Sequence, residues 1–229
     1  GIMNKRNEKI IDQHAIADWP VEIHEINEVP KVYQEAVWKY INDDFSDYII
    51  IFAPACQMIK SSSDYLLAYG KKRIFYFYQE FNKVKLIFIK QEEIHEIMTR
   101  KELLDAEIII KYKKGELVLP YVASSYYLYD PFLNWLVGLD KEFSLILAER
   151  ENPRPRELYH DSLTMFNYSL AAYRLGKNFK EYNYKFERHR KKWMPWKSTL
   201  EEWLDIMMEQ GAFHLHSLEY LIECTYKLK

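Results

Sequence analysis

The chain has 229 residues, 48% hydrophobic and 29% charged, with a formal net charge of −2. That length fits one large domain or two small ones, and the composition excludes a fully disordered chain, a collagen and a disulfide scaffold. The near-balanced charge offers no global attraction to nucleic acid.

Several sites are excluded by what is missing. Cys56 and Cys224 are the only cysteines, too far apart in sequence for a CxxC site, which points to a reducing compartment and a cytoplasmic location. Charges run throughout residues 1–20, so no signal peptide is expected there. The longest apolar stretch, Tyr48 to Cys56, is far short of a bilayer span. With 6 Gly in the chain and neither a GxGxxG nor a GxxxxGK[ST] pattern, no glycine-rich phosphate cradle is expected. No cofactor is implied.

In chain order, residues 1–47 read as an N-terminal lead-in and helix, of which residues 1–20 are polar with a helical piece near Ile10–Ile16. A helix then starts at Pro30, with Tyr33, Ala36, Val37, Tyr40 and Ile41 on one face. From Tyr48 the period shortens. Runs of β-formers occupy residues 48–53, 64–69, 73–78, 84–89, 107–112 and 116–121, and Lys113-Lys114-Gly115 supplies a hairpin turn. Short connections predict an antiparallel meander. Gln91–Leu104 reads as a short helix or irregular crossover. After Asp130-Pro131, one helical stripe carries Phe132, Trp135, Leu136, Leu139, Phe143, Ile146 and Leu147, and is expected to cap an open end of the sheet.

Pro153 and Pro155, within Glu151–Arg156, mark the expected boundary between a β domain at 48–150 and a helical region at 151–229. Four amphipathic helices are expected in that region. Their stripes are Tyr159 to Tyr173, Phe179 to Trp193, Leu200 to Met208 after the capping box Ser198–Glu201, and Leu215 to Thr225. The fold class expected is therefore α+β: a β-meander or open barrel with a capping helix, then an all-helical C-terminal region.

The stretch from Ile49 to about Leu147 resembles the bacterial pleckstrin-homology-like domains. The likeness rests on Asp64–Phe77, with its Gly70-Lys71-Lys72-Arg73-Ile74 turn, on Ile89–Ile94, on Glu107–Tyr121 and on the helix after Asp130. The resemblance implies a bent antiparallel sheet plugged by a helix. It also implies a non-catalytic role in binding a protein or peptide partner, or a lipid head group. It does not extend beyond Pro155.

The strongest local feature is basic and aromatic. Lys177–Lys197 holds eight Lys or Arg against two Glu, a net charge of +6, so the rest of the chain carries −8 of the total −2. Arg188, Arg190, Lys191 and Lys192, with Trp193 and Trp196, form a candidate surface for anionic lipid or nucleic acid. The alternative is that Trp193 joins Phe186 and Tyr182 in the core while the charges are solvated or meet the acidic remainder of the chain. Lys71, Lys72 and Arg73 are weaker anion candidates in a turn. Tyr126, Tyr127 and Tyr129 are candidates for a ligand surface or for ordinary packing.

Catalytic and metal readings are thinner. His160-Asp161 resembles the pair used by HD-type metal phosphohydrolases, which require further ligands from neighbouring helices. Glu157 with His160, and Glu92 with His95, have the spacing of di-iron bundle ligands. His214 and His216 point apart on a helix but would share a face on a strand. Cys56 has no catalytic signature around it. The function expected is binding or scaffolding without catalysis or a resident metal. A protein partner leads, an anionic surface follows, and a metal-dependent hydrolase at His160 and Asp161 comes third. Aromatic helix faces would favour a homo-oligomer.

Overall fold

A computed structural model describes residues 19–55 and 63–229. The expected helix near Ile10–Ile16 and the thiol of Cys56 lie outside the described residues. The chain forms two compact units. One holds the described residues up to Glu92 together with Ser124–Tyr129; the other holds Glu93–Ala123 and Asp130–Lys229.

The first unit is a five-stranded antiparallel sheet in the order β1 (Val21–Ile23), β2 (Ile49–Ala53), β3 (Tyr65–Gly70), β4 (Arg73–Glu80), β5 (Lys83–Lys90). Helix α1 (Lys31–Ile41) buries Tyr33, Val37 and Ile41 in one core with Ile23, Ile50, Leu66, Ala68, Phe75 and Phe77. Side chains alternate across a strand, so Ile51, Leu67 and Ile74 lie on the opposite face. They are buried as well, which is why β3 reads as an unbroken apolar run. The β3–β4 turn takes positive φ at Lys71 (48°) and Lys72 (59°), the twist a two-residue hairpin favours.

The second unit is built on a seven-stranded antiparallel sheet. Three strands form one meander: β6 (Ile94–Glu102), β7 (Asp105–Tyr112) and β8 (Gly115–Val122). Four form another: β9 (Glu181–Lys191), β10 (Met194–Met208), β11 (Gly211–Leu218) and β12 (Leu221–Leu228). Pairing of β12 with β6 joins them in the order β8-β7-β6-β12-β11-β10-β9. Between the two meanders lie α2 (Tyr126–Leu136), α3 (Leu145–Glu151), α4 (Arg156–Asp161), α5 (Leu163–Ser169) and a 3-10 segment, Leu170–Leu175. Helix α5 and that segment lie against β10 and β11.

The C-terminal region is not all-helical: helices end at Leu175 and four strands follow. The buried residues of those strands recur every second position, as in Leu204, Ile206 and Met208 or Phe213 and Leu215, which is the strand period. The fold is therefore mostly β rather than a small meander followed by a bundle. Residues 94–102 form β6 instead of a helix or crossover. The stripe from Phe132 to Leu147 is split between α2 and α3, with Gly138 at φ 84° just past the first.

The Pro153–Pro155 segment is held in place within the second unit. Arg154 donates through Nε to Glu149 Oε1 (2.6 Å) and through Nη1 to the Phe166 carbonyl, with its guanidinium over the Phe166 ring.

Candidate functional site

Strand β11 pairs with β10 no further than Glu201, yet β9 and β10 continue past that row. Residues 188–191 and 194–200 are thus a two-stranded ribbon, about 13 Å long on its β9 side at ~3.3 Å per residue. The register slips near the end. Met194 faces Lys191 but Ser198 faces Arg190, so Pro195, Trp196 and Lys197 bulge out. Bulges bend and twist an edge.

The six basic-aromatic candidates all fall on this ribbon or its turn. Arg188 and Arg190 share one face, Lys191 and His189 the other, by strand alternation. Arg188 Nη1 donates to Ser198 Oγ across the ribbon (2.9 Å), which fixes that guanidinium near the bulge. Lys192 and Trp193 make the turn. Trp193 is 90% exposed and Trp196 75%. Neither indole joins the core, and the helical stripe expected to bury Trp193 with Phe186 and Tyr182 does not form. Phe186, at 61% exposure, lies on β9 just inside the sheet, opposite Glu202, stacked on Tyr184.

Lys and Arg on an edge strand also discourage sheet-to-sheet pairing. That accounts for cations along β9, which is the sheet edge. It leaves the two exposed indoles, one at the turn and one in the bulge, unexplained, since exposed apolar surface works against that protection.

The outward face of the seven-stranded sheet carries a charged row that continues from the ribbon. His189 Nε2 lies 3.0 Å from Glu201 Oε1, and His216 Nε2 lies 2.7 Å from Glu201 Oε2. His216 Nδ1 is 3.9 Å from Glu223, which pairs with Arg100 (3.9 Å), which in turn reaches Glu107. Hydrogen bonds from His216 and His189 hold the Glu201 carboxyl below the usual carboxylate range. The neighbouring His214 bonds to Asp205. Both histidines thus sit on one strand face, which overturns the helical reading that set them apart.

The weaker candidates separate. Tyr126 and Tyr127 are exposed and in edge contact (6.2 Å). Tyr129 is buried, its hydroxyl 2.6 Å from that of Tyr65, so it belongs to the core and not to a ligand surface. Lys71, Lys72 and Arg73 are joined by Lys90 from β5, which pairs with Arg73, around a shallow hollow also lined by Gln91 and Glu92. Lys71 reaches Asp47 (3.1 Å). Sequence reading missed Lys90, because its role depends on the β4–β5 register.

His160 and Asp161 are exposed at the end of α4. Among the described residues, the trio of potential metal ligands that converges is Glu187, His189 and Glu201, not a set containing His160. Glu157 is exposed on the same short helix, while Glu92 lies on a 3-10 turn and His95 on β6. Cys224 is buried on β12, and burial pushes its thiol up to about 11, the opposite of an activated nucleophile. No helix among the described residues is long and apolar enough to cross a membrane.

Comparison of the chain with protein-family models, curated proteins and solved structures finds no match.

Proposed function

We propose that this is a non-catalytic binding protein that docks on an anionic, phosphate-bearing lipid surface through the β9–β10 ribbon. One observation carries the reading. Two indoles, Trp193 and Trp196, are exposed at the free end of a ribbon and bracketed by Lys191, Lys192 and Lys197. Trp favours the headgroup level of a bilayer, and Lys snorkels from an apolar site to phosphate. Arg188 and Arg190 stand behind the turn. The −8 carried by the rest of the chain would be repelled by the same surface, so approach would be ribbon first.

Each Lys or Arg near an anionic membrane contributes about 1 kcal/mol. Replacing Arg188, Arg190, Lys191 and Lys192 together by Ala would then weaken binding by about 10²–10³-fold at low ionic strength. The test is co-sedimentation with vesicles of phosphatidylcholine alone or with phosphatidylserine, at low and high salt. Binding that needs phosphatidylserine, falls with salt and is lost in the fourfold variant supports the reading. Binding to single- or double-stranded nucleic acid but not to vesicles would overturn it in favour of a nucleic-acid ribbon. A protein partner is the second reading, favoured by the exposed Tyr126–Tyr127 pair. Changing both to Ala leaves vesicle binding unaltered on the first reading.

A further inference from the structure

Where the ribbon leaves the sheet, Glu187 of β9 and Glu201 of β10 are direct cross-strand partners on one face. Two carboxylates so placed repel each other. Glu187 is also the only acidic residue between Tyr182 and Leu200, in a stretch where every other charge is positive. His189, two residues further along β9, lies on the same face. Ligand atoms of Glu187, His189 and Glu201 all fall within 4.8 Å of one another. His189 Nε2 and Glu201 Oε1 are 3.0 Å apart, close to the ~3.3 Å that separates two ligands of a tetrahedral ion bound at ~2.0–2.1 Å.

We propose that Glu187, His189 and Glu201 bind a divalent transition metal of the zinc type, clamping β9 to β10 at the root of the ribbon. One imidazole and two carboxylates suit zinc or a neighbouring first-row ion rather than magnesium or calcium, which take oxygen ligands alone. Two negative charges on the ligands balance a dication. Both contributing strands are fixed by the sheet ladder, which restricts ligand positions more than a loop does.

His216 is a positioning residue for this site. Its Nε2 lies 2.7 Å from Glu201 Oε2, so it holds the oxygen turned away from His189 and leaves Oε1 for the ion. His216 is itself stacked on Trp203 (ring centroids 5.5 Å apart), over which Lys185 Nζ sits at 5.0 Å. An imidazole bonded to a ligating carboxylate is the second layer that metal sites commonly carry.

The test is calorimetric titration of the full chain with Zn²⁺, and with Mg²⁺ as the oxygen-seeking control. One Zn²⁺ site is expected, weakened tenfold or more in each of Glu187→Gln, His189→Gln and Glu201→Gln. His216→Gln should retain the site with about tenfold lower affinity and shift the visible bands of bound Co²⁺, which a remote structural change would leave alone. His214→Gln is the control, because His214 and Asp205 form a two-group pair on the same face without a third ligand. Glu187 and His189 are exposed, so their variants should keep the wild-type melting temperature. Amide exchange over Arg188–Leu200 should slow on adding Zn²⁺ in the wild type and not in His189→Gln. Zn²⁺ affinity unchanged by His189→Gln and Glu201→Gln, or abolished by His214→Gln, would overturn the proposal. So would the absence of Zn²⁺ binding.

Discussion

Arg174 is 5% exposed in the second unit. It comes from the 3-10 segment Leu170–Leu175 and ties that segment to helix α2 and to strand β12. Its Nε donates to Asn134 Oδ1 (2.7 Å), its Nη1 to the Tyr226 hydroxyl (3.0 Å), and its Nη2 lies 3.8 Å from Asp130 Oδ1. Removing one partner of a fully buried ion pair costs about 3–5 kcal/mol. The Asp130 side chain is 48% exposed, so water would recover part of that loss. Two hydrogen bonds to a charged group, at ~1.5 kcal/mol each, set an expectation of about 3 kcal/mol for Arg174→Ala. At ~2–4 °C per kcal/mol for a chain of this size, the melting temperature falls by about 6–12 °C. Calorimetry would measure this beside Arg174→Met, Tyr226→Phe and the Arg174→Ala/Tyr226→Phe pair. Arg174→Met leaves Asp130 equally unpaired but fills the volume of the lost side chain and should recover part of the loss, and the Arg174→Ala/Tyr226→Phe pair should be non-additive, since the two groups share a bond. Burial raises the Asp130 carboxyl and Arg174 pulls it back, so its pKa should rise further in Arg174→Ala. A loss under about 1 kcal/mol, or additive behaviour, would refute the assignment of Arg174 as the tie between these elements.

Three further outcomes are expected. Gly211 opens β11 at φ 155°, and a Cβ there would stand 2.1 Å from the Lys227 carbonyl oxygen. Gly211→Ala should cost about 2–3 kcal/mol in thermal unfolding, and Gly115→Ala, with φ 157° but no atom within 4 Å of its Cβ, distinctly less. Burial pushes Tyr76, Tyr173 and Tyr226 up to about 12, above the ordinary tyrosine value near 10. A raised folded pKa gives stability that is complete below the unfolded value and lost as pH rises through the folded one. Ultraviolet titration should therefore show exposed tyrosines ionising first, then cooperative unfolding between about pH 10 and 12 as the buried set follows. Trp193→Ala, at a 90% exposed position, should leave stability within about 0.5 kcal/mol of wild type; a larger loss would place that indole in a packed site.

Helix α1 and strands β2 to β5 were legible because their signals did not conflict; β1, three residues long, and β6 were not. Runs such as Arg73–Tyr78 and Val84–Ile89 are β-rich and bounded by turn residues, and α1 begins after Pro30 with clean 3–4 spacing. The last fifty residues misled for a definite reason. An i, i+4 step satisfies both the helical and the strand period, so Leu200, Leu204 and Met208, or Leu218 and Ile222, fit either. The i, i+2 steps Leu204–Ile206 and Phe213–Leu215 break the tie toward strand. The Ser198–Glu201 capping box added a false start signal, because both residues serve cross-strand contacts instead: Ser198 to Arg188, Glu201 to His189 and His216.

The ribbon's residues were legible from charge and aromatic content alone, its shape was not. Local composition locates Arg188 to Trp196, whereas exposure of the two indoles depends on β11 stopping at the Glu201 row. The Glu187, His189 and Glu201 group was hidden for the same reason. Its members are 14 residues apart or fewer in sequence but meet through the β9–β10 register, and a helical reading disperses them.

Docking on a lipid surface requires the ribbon end to enter the interface. Vesicle binding by the Trp193→Ala/Trp196→Ala variant, with every cation retained, isolates that step. If each indole withdraws about 60 Å² from water at ~25 cal/mol per Å², the pair contributes about 3 kcal/mol. Binding to phosphatidylserine vesicles should weaken by about 100-fold, with the melting temperature unchanged. Wild-type affinity for those vesicles in the double variant would contradict that requirement, leaving the indoles without a part in docking.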